Sequence, residues 1–348
     1  MWLMGRSGQG LSKKLWVPLL LAAAAAAVMV PWGRPAERPK KVGVLITSDV
    51  RLQKLSGLRD GLRDLGLAEG RDFVFEIRNA RNDREKLDSL AEDLAALQPD
   101  VIVAGGYIEA AAVKRLTVQR KIPVVFMGVA SSVAGGLVSS LRNPGGNLTG
   151  IDNYHAELTG KRLEFLVRLL PGTKRVLVLY DPEVVPGPAS LSSAREAAHK
   201  LRVELREVAV TSEKELLAAV SRASRRDTDA ILLLSSFMIE SSTKALAPLA
   251  MERGLPVMGV NEGEAAAGYF ASYGASFYNQ GLQAARLVLK VLHGQDPAAI
   301  PVETSDLVQL TVNLDTARKL KVNPSPSGLG LADVIIGDHG GPEVRDRE

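Results

Sequence analysis

From Lys41 onward the chain alternates short runs of β-branched residues with amphipathic stretches, and this alternation restricts it to few architectures. KVGVLIT (41–47) predicts a buried strand. LQKLSGLRDGLRDLG (52–66) predicts a helix, because Leu55, Leu58, Leu62 and Leu65 recur at spacings of three and four. Strand DFVFEIRNA, helix REKLDSLAEDLAALQ, strand DVIVAGG, helix IEAAAVKRLTVQ and strand PVVFMGV follow. Repeated βα units of this kind build a parallel sheet covered by helices on both faces, an α/β fold.

The pattern restarts after Gly150. Helix ELTGKRLEFLVRLL (157–170), strand RVLVLYD, helix SLSSAREAAHKLR, strand VELREVAV, helix EKELLAAVSRAS, strand AILLLSS, helix TKALAPLAMERG and strand PVMGVN come in order. PDVIVAGG and KIPVVFMGV in the first half match TDAILLLSS and GLPVMGV in the second. In each, an aspartate (Asp100, Asp229) opens one strand and a proline (Pro123, Pro256) opens the next. Two lobes of similar topology are expected, with NPGGNLTG (143–150) as a crossover between them. Its glycines suit a bend, and no lysine follows until Lys161, so it is not a phosphate loop. Asn147-Leu148-Thr149 has the form of a glycosylation acceptor, a triplet too common to carry weight.

A chain of 348 residues that is 46% hydrophobic is long enough for two domains. Its net charge is +4, of which residues 1–37 supply +3, so the remainder has no concentrated basic face for nucleic acid. The absence of cysteine excludes thiolate catalysis, disulfides and cysteine zinc sites, and no histidine pair has metal spacing. Arg6, Lys13 and Lys14 precede an uncharged run from Leu15 to Trp32, the layout of an export signal. Cleavage near Ala25 and Ala27, or retention as a membrane anchor, both fit this run; either places the body outside the cytoplasmic membrane.

Five segments stand out together: GLRDGLRDLGLAEGRDFVFEIRNA, IPVVFMGVASSVAGGLVSSLRNPGGNLTGI, HAELTGKRLEFLVRLLPGTKRV, GYFASYGASFYNQGLQAARLVLKVLHGQDPAAIPVE and LVQLTVNLDTARKL. In them the chain resembles the tryptophan-type family of ABC transporter substrate-binding proteins. Where family members often carry an Asp-Pro pair, this chain has Ser131-Ser132. The resemblance implies a type I periplasmic-binding-protein, or Venus-flytrap, architecture: two Rossmann-like lobes with parallel sheets, joined by three crossovers. Residues 38–150 and 274–297 would form the first lobe, 151–273 and 298–337 the second, and 338–348 a polar tail.

Ligands of open α/β sheets bind beyond the carboxyl ends of the strands, where helix N-termini present free N–H groups. In the first lobe those ends offer Thr47, Ser48 and Asp49, then Gly105, Gly106 and Tyr107, then Ala130, Ser131 and Ser132, a seat for a carboxylate unless the serines only cap helices. In the second lobe they offer Tyr180, Asp181 and Pro182, then Ser235, Ser236 and Phe237, then Asn261 and Glu262. Tyr107, Tyr180 and Tyr273 fall at loops, as stacking surfaces or as ordinary half-buried packing. Asp49, Asp181 and Glu262 are partners for a ligand ammonium or plain solvated carboxylates.

The expected function is capture of a small solute, an amino acid or related carboxylate, without cofactor or metal. The protein would act as a monomer that delivers its ligand to an ABC permease and ATPase, touching the membrane only through its N-terminal segment or the permease. A ligand-sensing receptor domain acting through a separate partner is the alternative. An enzyme is disfavoured, because no GxGxxG follows the first strand and no Ser/His/Asp set has interpretable spacing.

Overall fold

The computed structural model describes residues 38–337 and the backbone of 343–344; the export-type segment at 1–37 and most of the 338–348 tail lie outside the described residues. From Pro39 onward the chain forms one compact unit. Its strands are β1 Lys40–Ile46, β2 Phe73–Asn79, β3 Val101–Ala104, β4 Val124–Val129, β5 Leu148–Asp152, β6 Arg175–Tyr180 and β7 Glu204–Ala209. Then come β8 Ala230–Leu233, β9 Val257–Gly259, β10 Ala271–Ala275, β11 Glu303–Thr304, β12 Val308–Asn313, β13 Val334–Ile336 and β14 Glu343–Val344. They assemble into a six-stranded sheet, β11-β5-β4-β3-β1-β2, and an eight-stranded sheet, β14-β13-β12-β10-β9-β8-β6-β7.

Each sheet is buried on both faces, which is why its central strands read as unbroken apolar runs. Along β1 the pleat sends Val42, Val44 and Ile46 to one face, beneath helix α1 (Leu52–Asp64). Leu45 goes to the other face, under α2 (Leu87–Ala96) and near α3 (Tyr107–Arg120). The second sheet is covered in the same way by α4 (His155–Leu169) and α5 (Pro186–Leu201) on one face. On the other lie α6 (Glu213–Arg222), the short α7 (Phe237–Ser241) and α8 (Thr243–Glu252). The four-residue α9 (Gly263–Ala266) follows β9, and α10 (Phe277–Leu292) returns to the first sheet against α1. There Gly57, Gly61 and Gly281 let two backbones touch; a Cβ at Gly57 would overlap the Tyr278 carbonyl, and one at Gly281 the Lys54 carbonyl.

Pairing differs from the sequence expectation in three places. NPGGNLTG is a bend inside the first lobe, because β5 pairs with β4 and the chain leaves that sheet only after Asp152. Gly145 and Gly146 take positive φ there, and the Asn147 amide ties the bend to Thr117 Oγ1 and the Ile122 carbonyl. β11 pairs with β5, so the third crossover lies beyond Thr304 rather than at 297/298. β12 runs antiparallel to β10, and β14 antiparallel to β13. β12 re-enters at the crossover end of the second sheet, where β10 leaves it, and so must run back the other way.

Candidate functional site

The carboxyl ends of the two sheets face each other across a cavity of about 300 Å³. Gly106, Tyr107, Ile108, Gly128 and Ala130 line it from the first sheet's side, and Asp181, Ser235, Ser236, Phe237 and Asn261 from the second's. A second cavity of about 300 Å³ adjoins it and shares Glu240, Ser241, Asn261 and Phe277. Each is at the small end of ligand sites, the size of an amino acid rather than a large cofactor.

Gly106 is the N-cap of α3 and offers no side-chain cap, so the first N–H groups of this 14-residue helix border the cavity. A Cβ there would press on the Arg51 guanidinium, so glycine leaves room for that side chain. Tyr107 swings its hydroxyl to the Gly135 carbonyl, 2.9 Å away. Across the cleft, Ser236 caps α7 through the Ile239 N–H at 3.2 Å, and Asp181 Oδ1 accepts the Glu183 N–H at 3.0 Å.

The other sequence-predicted residues fall outside this lining. Asp49 accepts from the Asn79 amide at 2.8 Å and borders the second cavity. Ser48 is buried, and its hydroxyl has no protein partner among the described residues. Ser131 adopts a left-handed φ of 60° and turns the chain toward Gly135. Ser132 donates both N–H and hydroxyl to Asp152 Oδ2, each at 2.6 Å, anchoring the end of β5 rather than facing the cavity. The Tyr180 and Tyr273 rings pack on the second lobe's core, Tyr273 edge-on to Phe165 at 4.8 Å. The two tyrosines sit on strands whose pleat sends these rings under α4 and α5, not into the cleft.

Five charged or titratable cavity residues escaped the sequence reading: Arg51, Lys54, Arg84, His155 and Glu240. Arg51 Nη1 donates to both oxygens of the fully buried Glu109, whose Oε1 also accepts the Thr47 N–H at 2.8 Å. Its Nε and Nη2 reach Glu240 at 3.2 and 3.3 Å. Burial alone would lower the Arg51 pKa; the charges of Glu109 and Glu240 outweigh it and raise it. Lys54 Nζ donates to the carbonyls of Gly105 and Met127 at 2.8 and 2.7 Å and stands 4.6 Å from the Phe277 ring centre. Burial, reinforced by the Arg51 charge, brings its pKa down to about 7.

His155 and Arg162 form a second buried polar group at the crossovers. Arg162, the largest fully buried side chain among the described residues, donates to the carbonyls of Tyr273 and His155 at 2.7 and 2.9 Å and to His155 Nδ1 at 2.8 Å. Burial first, and then the Arg162 and Lys54 charges, hold the imidazole pKa well below its ordinary value. Since a guanidinium only donates, Nδ1 accepts and the neutral ring carries its proton on Nε2, 3.3 Å from the Asn153 amide. Asn153 must then present its oxygen to the ring. Gly128 has a φ of 73° and no room for a side chain.

A signal for these residues was present. Lys54 shares a helical stripe with Leu58 and Leu62, and His155 shares one with Thr159 and Arg162, polar groups at apolar-face spacing. Glu240 had no such mark, because the contact that singles it out comes from the opposite lobe. Among the described residues no three His, Asp or Glu side chains converge as a metal site.

Comparison with known proteins identifies the family and the fold. Residues 41–334 match the family model described as ABC transporter substrate binding protein. The chain is 28% identical over 287 residues, 82% of each chain, to a tyrosine-binding protein of Clostridioides difficile (strain R20291). Among solved structures, the ABC domain in complex with L-Trp from Streptococcus pneumonia superposes with a TM-score of 0.79 at 22% identity, covering 86% of this chain and 100% of that one. A ligand-free, open substrate-binding protein with adhesive properties from Clostridium difficile gives 0.66 at 25% identity, with the same coverage. The two parallel-dominant α/β lobes are thus the type I periplasmic-binding-protein fold, and this chain belongs to the ABC transporter substrate-binding protein family.

Proposed function

We propose that this protein is the solute-binding component of an ABC importer and that it captures an aromatic amino acid by closure of its two lobes, presenting the closed form to a permease. The family is one of extracytoplasmic binding proteins rather than enzymes. The observation that carries the reading is the amino-acid-sized interlobe cavity, which pairs a free helix N-terminus with a facing carboxylate and three aromatic rings. The α3 N–H groups at Gly106, Tyr107 and Ile108 suit an α-carboxylate, and Asp181 suits an α-ammonium. Tyr107, Phe237 and Phe277 supply faces for a planar side chain, and Ser235, Ser236 and Asn261 supply polar contacts around it. Two relatives, the tyrosine-binding protein and the domain in complex with L-Trp, support the aromatic class.

A thermal-shift screen of residues 40–348 against the amino acids tests this. A ligand at about 100 times its Kd adds roughly 2.7 kcal/mol to stability. Tyrosine or tryptophan should raise Tm, and Asp181→Asn should remove most of the shift. A folded protein that no amino acid stabilises refutes the reading.

A further inference from the structure

Arg51 is held in two directions at once. One edge of its guanidinium, Nη1, is fixed inside the first lobe by Glu109, whose side chain is fully buried. The opposite edge, Nε and Nη2, forms a fork on the two oxygens of Glu240 at 3.2 and 3.3 Å, and Glu240 sits on α7 of the second lobe. Both side-chain hydrogen bonds of Glu240 therefore cross the cleft. The pair is well covered, with 6% and 15% of the two side chains exposed, and the Arg51 guanidinium also lies 5.2 Å from the ring centre of Phe237, again from the second lobe.

This is half of a contact prepared in advance. Glu109 and the bare Gly106 surface keep the guanidinium oriented whatever the second lobe does, so its outer edge costs little side-chain entropy to engage. The Glu240 contact exists only while the lobes are apposed, because its partners belong to different lobes. Glu240 lines both cavities.

We propose that Glu240 acts as a closing latch: by taking the free edge of Arg51 it stabilises the closed arrangement and raises affinity for every ligand by a common factor, without choosing among them. This rests on the capture reading above. A group that changes only the closed fraction divides each intrinsic Kd by that fraction, so ratios between ligands do not change. A group that touches the ligand changes the ratios.

The test uses Glu240→Gln, which keeps shape and leaves Arg51 paired with Glu109. Binding of tyrosine, tryptophan and phenylalanine is measured by calorimetry and stopped flow on both proteins. The affinities should fall together by about tenfold, the order of one covered ion pair, through faster release and with their ratios unchanged. In parallel, dyes are placed on Glu92→Cys and Lys200→Cys, exposed positions on α2 and α5; the chain has no cysteine of its own. The free Glu240→Gln protein should show a longer mean dye distance than the free parent. Unequal losses among the ligands, no loss, or an unchanged dye distance would each overturn the latch. If no amino acid binds the parent protein, the capture reading is what fails, and the dye distance alone still decides whether Glu240 holds the lobes together.

Discussion

Lys54 has its ammonium buried against backbone carbonyls rather than a carboxylate, and this makes it sensitive to pH. Its folded pKa of about 7 lies below the ordinary 10.5, because burial and Arg51 disfavour the charge. Between those values the unfolded chain binds the proton more tightly, so stability rises as pH climbs from 7 toward 10.5. Relative to Lys54→Met, the wild-type protein should gain about 3 kcal/mol between pH 7 and 9.5 in urea denaturation. A constant difference between the two proteins would show that Lys54 is not buried as described. At this scale the sequence was half legible. Gly106, Tyr107, Asp181, Ser235, Ser236 and Asn261 follow from the rule that ligands meet the carboxyl ends of strands, and all border the cavity. Tyr180 and Tyr273 also end strands, but which side of a strand faces the cleft depends on the pleat, and a one-residue change in phase reverses it.

Among the elements, the contact between α1 and α10 joins segments more than two hundred residues apart in the chain, with three glycines at the closest approach. Helix propensity alone says that Gly57→Ala should stabilise α1 by roughly 1 kcal/mol. The Tyr278 carbonyl in the way says the opposite, since the added methyl must push two packed backbones apart. We expect net destabilisation of about 2 kcal/mol, read as a lower urea midpoint with unchanged slope. Stabilisation would mean that the helices are not in backbone contact. Most elements were visible from periodicity, their ends less so, while β5, β10 and the short α7 and α9 carry too little pattern to be read. α5 starts at Pro186, ahead of the expected 190, because proline is well placed in a first helical turn and the apolar pattern begins later.

For the whole molecule, closure is a balance between lobe contacts and ligand contacts. With the latch in place, the free protein already populates the closed form. Small-angle scattering should therefore show a smaller drop in radius of gyration on adding tyrosine to the wild type than to Glu240→Gln. Equal drops would place the whole driving force in the ligand. The sequence by itself determined most of the strands and helices and the two-lobe plan, because burial on both faces of a parallel sheet leaves its period in local residue order. Only the tertiary structure decided where the chain crosses between lobes, that β12 runs antiparallel, and that Arg51 meets Glu240 across the cleft. Those depend on pairings between residues far apart in the chain, and a charged side chain carries no local mark of the partner it will find.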